Sequence, residues 1–415
     1  MKTRKKDLFF YYCLFFSIAL FCIVLYRSAK ASITYDEAYT YIYYIYKNPL
    51  HVFSNMFAKG TLANNHLLNS FFISFIQQFF STKYNEVLIR MPNVLSYIVY
   101  LFYSYKFSKE FKYKFATFSL FALNYGASEY FSLGRGYGIS CAFVMTALYY
   151  FLKFIKYKNN LFNLSLCYLF FLISCYANTA ALIPFATVIF VSFYILFKNR
   201  LFKEYLCRQW YFYIPIVCLT LVIIKYHFSI SSDGLPLYGG DTSFYKDVII
   251  SLFYNYGFFI KYIYLFSSLV LILFLILLVY YIKNKKNDYF VISGILYFVI
   301  LIFVTKISNS MWLTGRCLIP SMPLLFASTS ELIQQTNIKK QILNTILTIF
   351  LLILFICNIK LDRVRDFSES RYYKKICYDA YFSKDNTYVK NIKPHMSLEF
   401  YSKKINYYYN YDILK

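Results

Sequence analysis

Two adjacent carboxylates, Asp36 and Glu37, stand in the segment Thr34-Tyr35-Asp36-Glu37-Ala38-Tyr39-Thr40 of a chain with only 19 acidic residues among 415. A carboxylate beside a membrane-embedded cavity can take a proton from a hydroxyl or bind a metal. The pair is also good helix-start chemistry, with Thr34 as N-cap and both acids in the first turn before an aromatic helix over 38–46. Farther along the same stretch lies Ala63-Asn64-Asn65-His66-Leu67-Leu68-Asn69, and His66 is one of only four histidines. Its imidazole suits a phosphate, a sugar or a metal, and equally an interfacial helix cap. In Arg90-Met91-Pro92-Asn93 the arginine reads as a snorkelling anchor and the proline fits a first helical turn. Arg135, between glycines in Gly134-Arg135-Gly136-Tyr137-Gly138, has backbone room around a planar guanidinium that suits a phosphate. Arg316, in Thr314-Gly315-Arg316-Cys317-Leu318-Ile319-Pro320, is another fixed cation at a helix start. For both arginines the alternative is a plain interfacial anchor.

The elements that must position these groups are dictated by composition. The chain is 59% hydrophobic and 15% charged, against roughly 25% charged for an average soluble protein. Too few charges remain to coat a water-facing surface, which excludes a soluble globular class. Apolar blocks of about 18 to 22 residues recur, the length a helix needs to cross the hydrocarbon layer. The fold class expected is therefore all-α, a polytopic transmembrane helical bundle. About eleven spans are predicted, at residues 8–26, 88–105, 114–128, 136–152, 161–178, 182–197, 211–227, 262–282, 289–305, 317–333 and 341–358. Residues 66–80 are apolar but short and hold Asn69, Gln77 and Gln78, so they read as an interfacial or re-entrant helix. Ten cysteines fall mostly inside apolar blocks with no CxxC pair, as small buried hydrophobes rather than a disulfide or zinc framework.

The net charge of +25 would suggest nucleic acid in a soluble chain. Here the charge is topological. Short loops at 2–6, 106–114, 153–158, 198–208, 283–286 and 339–340 hold most of the Lys and Arg before residue 358, which makes them cytoplasmic by the positive-inside rule. The first helix then runs outward as an uncleaved anchor. Residues 27–87, 228–261 and a Tyr- and Lys-rich tail, 358–415, fall outside the cytoplasm. All the chemically suggestive motifs fall on that same outer side. The halves show no paired Gly- or Pro-broken helices of the transporter kind.

The order and approximate spacing of these motifs resemble the glycosyltransferase C superfamily, in particular the bacterial branch related to protein O-mannosyltransferases and the lipid A aminoarabinose transferase (glycosyltransferase family 39-like). The likeness is carried by Asp36-Glu37 after the first helix, Asn65-His66-Leu67-Leu68, Arg90-Met91-Pro92-Asn93, Gly134-Arg135-Gly136-Tyr137-Gly138, and Arg316 with Pro320 and Pro323. It is strongest over residues 1–150. The chain departs from relatives in lacking prolines around His66 and the lysine some of them use there.

The resemblance implies a transmembrane glycosyltransferase domain over 1–357 and a small external region over 358–415, in a bacterial cytoplasmic (inner) membrane. It implies a polyprenyl-phosphate-linked sugar donor, a lipid, glycan or protein acceptor, and inversion at the anomeric carbon. Asp36 would be the general base, with Glu37 positioning it or binding a cation. Arg135 and Arg316, then His66 and Arg90, would hold the donor phosphate, and Asn65 and Tyr137 would line the substrate. No cofactor is required; a divalent metal held by Asp36, Glu37 and His66 stays open. The alternatives are a lipid-linked glycan flippase or transporter, which needs buried mid-helix charges and broken helices, and an O-antigen polymerase, which needs no acidic pair after the first helix.

Overall fold

The computed structural model describes residues 8–45, 47–58, 65–80, 83–157, 160–232, 239–240, 242–258, 262–265, 267–268, 288–307, 311–336, 339–362, 364, 370–384, 389, 395–412 and 414. The described chain is almost wholly α-helical. In order the helices are α1 (Leu8–Lys30), α2 (Tyr35–Tyr44), α3 (His51–Ser54), α4 (Leu67–Phe79), α5 (Glu86–Ser108), α6 (Lys114–Ala122), α7 (Tyr125–Phe131), α8 (Gly136–Lys156), α9 (Leu161–Ala177), α10 (Leu182–Lys198), α11 (Phe202–Ser232) and α12 (Ile250–Tyr256). They continue as α13 (Tyr289–Ile307), α14 (Met322–Gln334), α15 (Lys340–Asn358), α16 (Ser370–Ser383) and α17 (Met396–Tyr409). A 3-10 segment, Gly315–Ser321, leads into α14, and a two-residue antiparallel ladder pairs Gly239 with Leu313 and Gly240 with Trp312.

Among the described residues seven helices are long and apolar enough to cross a membrane: α1, α5, α8, α10 with the turn before it, α11, α13 and α15. Their packing is that of a bundle in lipid. In α8, 72% of the most apolar stretch is buried, against 22% in α1 and 17% in α15, so α8 is central and the others are peripheral. The peripheral helices turn large apolar side chains outward, among them Leu8, Phe15, Phe303 and Ile346, each more than 60% exposed. Water would not tolerate such continuous apolar faces, and hydrocarbon does. The protein is a membrane protein.

Not every expected span is one continuous helix. Residues 114–128 divide into α6 and α7 at Leu123-Asn124, where the Asn124 side chain accepts the Ala127 N–H and restarts the chain as a new helix. Residues 317–333 begin as the 3-10 segment because Pro320 and Pro323 cannot supply the N–H groups of a regular helix. Interrupted helices are therefore present, with the α6–α7 break at an asparagine rather than at a Gly or Pro. Helix α9 has 17 residues. Residues 66–80 form the short α4, and the expected span at 262–282 lies mostly outside the described residues.

The two ends of the bundle differ in character. At one end the Lys114 ammonium lies over Phe9, Lys153 and Lys156 pair with Glu110, and the Ala116 N–H donates to Asn344 Oδ1. Those contacts bring the basic loop at 106–114 together with the basic end of α8 and the starts of α1 and α15. At the opposite end the C-terminus of α1, the N-terminus of α5, the turn before α8 and the segment before α14 converge.

The described part of the tail shares its core with the first helices of the chain. Phe400, Tyr401 and Ile405 of α17, with Ile376 and Ala380 of α16, share one apolar cluster with Ile33, Ala38 and Tyr41 near α2 and Ile89 of α5. The Tyr401 hydroxyl accepts the Ile33 N–H at 2.8 Å, and Lys374 and Lys404 both pair with Glu86. Helices α16 and α17 thus buttress the turn that carries the acidic pair.

Candidate functional site

The turn between α1 and α2 is held by one buried arginine. Arg90, 0% exposed, uses all five of its N–H groups: Nε and Nη2 fork onto the two Glu37 carboxylate oxygens at 2.8 Å each, and the rest go to the carbonyls of Ser28, Ala31 and Ser32. Those carbonyls include orphans at the α1 C-terminus, so Arg90 acts as its cap. Glu37 is equally saturated. Besides Arg90 it accepts the Gly134 N–H at 2.6 Å and the Thr34 N–H at 2.9 Å, the latter closing a capping box with the Thr34 hydroxyl. Burial alone would raise the Glu37 carboxyl, but Arg90 and these N–H groups outweigh it and hold it below the usual carboxylate range.

This corrects two expectations. Arg90 is neither a snorkelling anchor nor available to a phosphate, and both Glu37 oxygens are taken by Arg90 and backbone N–H groups rather than turned toward a metal ion. Pro92 is also displaced from its expected place: α5 starts at Glu86 after an Asn85 cap, which puts the proline in the second turn.

Successive residues on a helix point about 100° apart, so with Glu37 locked toward Arg90, Asp36 faces another way. There it meets two cations from remote segments. Its Oδ2 lies 3.0 Å from Arg316 Nη2 and 3.4 Å from Arg135 Nη2, and the Asp36 carbonyl and Thr40 hydroxyl accept from Arg135 Nη1 at 3.2 and 3.4 Å. Asp36 and Arg135 are buried, and the Arg316 side chain keeps 12% exposure.

Each arginine is placed by its backbone. Arg135 is the extended residue before α8, and its neighbours are glycines because there is no room for anything else. A Cβ on Gly136 would overlap the Ala177 carbonyl and crowd His66 Cβ, and Gly134 and Gly138 are hemmed in by Ile89 and by Phe131 with Asn93. The glycines fix the loop by close packing rather than opening space for a ligand. A polar relay secures it further: Asn69 donates to the Gly134 carbonyl at 2.9 Å, Asn93 donates to Asn69, and Asn93 Oδ1 accepts the Ile139 N–H. Arg316 follows Gly315, whose φ of +49° only glycine adopts readily, and Asn255 holds the Gly315 carbonyl at 2.7 Å. Gly136→Ala should therefore push α9 away from α8, lower the thermal unfolding temperature in detergent by several degrees for a cost of about 1–3 kcal/mol, and disturb both Arg135 and His66.

His66 is drawn into the same cluster. It occupies the N-cap position of α4 but its side chain makes no capping bond. Its ring meets Tyr137 edge-on at 5.0 Å, and the Arg135 guanidinium lies over that tyrosine ring, 5.9 Å from its centre. One ring nitrogen donates to the Ala177 carbonyl, while Nε2 is buried with no hydrogen-bond partner. Burial first, and then the positive charges of Arg135 and Arg316, hold the imidazole well below its ordinary pKa. Asn65 stands behind it, its side chain accepting from Ser70 and its carbonyl from the Tyr226 hydroxyl.

Of the eight residues singled out in the sequence, Asp36, Arg135, Arg316, His66 and Tyr137 form one cluster. Glu37 and Arg90 form the clamp beside it, and Asn65 backs His66. The three residues named for a metal do not converge, since Glu37 is turned to Arg90; among the described residues no group of three or more His, Cys, Asp or Glu is suited to a metal ion. Sequence reasoning missed Thr40, Asn69, Asn93 and Asn255. Asn69 and Asn93 lie within the quoted motifs as buried amides, whereas Asn255 has no local signal at all.

What this cluster can do is hold an anion. Two guanidinium groups share one carboxylate in a dry setting, and an incoming phosphate would offer them further acceptor oxygens. No protein-family profile, no curated protein and no solved structure matches the chain.

Proposed function

We propose that the protein is an integral membrane glycosyltransferase that moves a sugar from a polyprenyl-phosphate carrier to a hydroxyl of a lipid, glycan or protein at the outer face of a bacterial cytoplasmic membrane. The observation that carries this reading is the meeting of Arg135 and Arg316 on Asp36, three residues from remote parts of the chain, at the end of the bundle opposite the basic loops. Arg135 and Arg316 bind the carrier phosphate. As the glycosidic bond breaks, a second negative charge develops on that phosphate, and preplaced cations favour the transition state over the ground state. Asp36 keeps the two like charges side by side while the donor is away. Direct displacement by the acceptor oxygen inverts the anomeric carbon, and the isoprenoid tail lies along the apolar outer faces of the bundle.

The test is mass spectrometry of surface glycolipids and glycoproteins from a strain lacking this protein. One sugar should be missing, and should return with the wild-type chain but not with the Arg135→Ala/Arg316→Ala double variant. An unchanged glycan profile would defeat the reading. A lipid-linked glycan flippase is the second reading, favoured by the α6–α7 break and by the buried Arg27–Glu129 ion pair at 3.2 Å beside it. It is distinguished by translocation of a labelled lipid-linked glycan in liposomes with no new glycosidic bond formed.

A further inference from the structure

His66 presents a chemistry that the rest of the cluster lacks. A backbone carbonyl only accepts, so the ring nitrogen at the Ala177 carbonyl must carry the proton. In a neutral imidazole the second nitrogen is then a bare lone pair. That nitrogen, Nε2, is buried without a partner in a residue 7% exposed. A buried acceptor left unpaired is destabilising, and any ligand hydroxyl that reaches it relieves that cost. Nε2 in this state cannot donate to a phosphate, so the role first expected of His66 does not suit its bonding.

Arg135 and Tyr137 at the start of α8 and Arg316 before α14 face the ring, with Tyr130 of α7 behind Tyr137 and Asp36 of α2 paired with the two arginines. Both arginines are donors only, and Asp36 is engaged by both of them.

We infer that His66 is the general base of the transfer, its Nε2 taking the proton of the acceptor hydroxyl while Asp36 serves as the positioning partner of Arg135 and Arg316. This rests on the glycosyltransferase reading above. In the step, the acceptor oxygen bonds to the anomeric carbon as the bond from that carbon to the phosphate oxygen breaks. The bonding pair leaves with the carrier phosphate, and the hydroxyl proton passes to Nε2. A phosphodiester of one negative charge becomes a monoester of two, and a neutral imidazole becomes an imidazolium, so the two new charges attract. Donor binding prepares the base as well, since its phosphate offsets the field of the two arginines that disfavours a protonated His66. The proton goes to water as the product leaves.

The experiment uses the full chain in liposomes with a synthetic polyprenyl-phosphate sugar, measuring donor affinity by titration and transfer in a single turnover. His66→Gln and His66→Ala should bind donor within about threefold of wild type and transfer about 100- to 10,000-fold more slowly, with imidazole in the buffer restoring part of the rate to His66→Ala only. Asp36→Asn should instead weaken donor binding at least about tenfold, as expected for loss of a charge-assisted contact. If His66→Gln does not fold, His66→Ala and its imidazole response decide the matter. Transfer by either His66 variant within threefold of wild type, or loss of donor binding in proportion to loss of transfer, would overturn the inference. A wild-type protein that neither binds donor nor transfers sugar overturns the functional reading itself.

Discussion

Arg90→Ala will leave little folded protein: the variant should lose about 3–5 kcal/mol, enough to remove most of the stability of a typical domain. The reason is the number of groups it would strand. Glu37 would remain as a fully buried carboxylate without its counter-charge, and the Ser28, Ala31 and Ser32 carbonyls would lose their donors. Thermal unfolding followed by size-exclusion chromatography in detergent should show a collapsed monodisperse peak. Arg90→Lys should fall between, because an ammonium has three donors in a tetrahedral array where the guanidinium supplies five in a planar fork. A double change, Arg90→Met with Glu37→Leu, should recover only part of the loss. Removing both charges settles the ion pair, yet it leaves the three carbonyls and the Gly134 and Thr34 N–H groups unsatisfied. Full recovery in that variant would mean that Arg90 acts on Glu37 alone and not as the cap of α1.

Arg135→Ala and Arg316→Ala should each lower the rate of sugar transfer by about 100- to 1,000-fold at saturating donor, the effect of deleting one preorganised donor to a developing anion. Both guanidinium groups lie on Asp36 Oδ2 and would act on one phosphate, so the double variant should be less damaged than the product of the singles. Stability should hardly suffer in either single variant, since the remaining arginine still pairs with Asp36. Lysine at either position should restore part of the rate through charge without the forked contact. Steady-state kinetics with donor and acceptor varied separately provides the check. A variant altered only in acceptor KM would place that arginine on the acceptor rather than on the carrier phosphate.

The order of these effects follows from the division of labour between two adjacent acids. Read along the chain, Asp36-Glu37 admits both a capping and a catalytic interpretation, and each residue takes one of them. Thr34 and Glu37 form the capping box that the spacing indicates, while Asp36, one residue earlier, is swung into the cluster with the arginines. The residue that decides which is which, Arg90, lies 53 positions away from Glu37 and looks like a membrane anchor when judged by its neighbours. Likewise the glycines around Arg135 suggest backbone freedom, and their surroundings prove to be packed solid by Ile89, Ala177 and Phe131.

Hydropathy and charge along the chain determined by themselves that this is an all-α membrane protein and that the basic loop at 106–114 lies with the basic end of α8, where Glu110 meets Lys153 and Lys156. Those properties depend on local apolar length and on the sign of short loops, both of which are summed over neighbouring residues. Tertiary structure alone decided that α6 and α7 are separate helices, that the tail shares its core with α2, and that Arg316 reaches Asp36 across 280 positions while Arg90 is consumed by Glu37. A guanidinium is chosen by the acceptors that surround it in space, and the order of residues along a chain carries no direct record of which acceptors those will be.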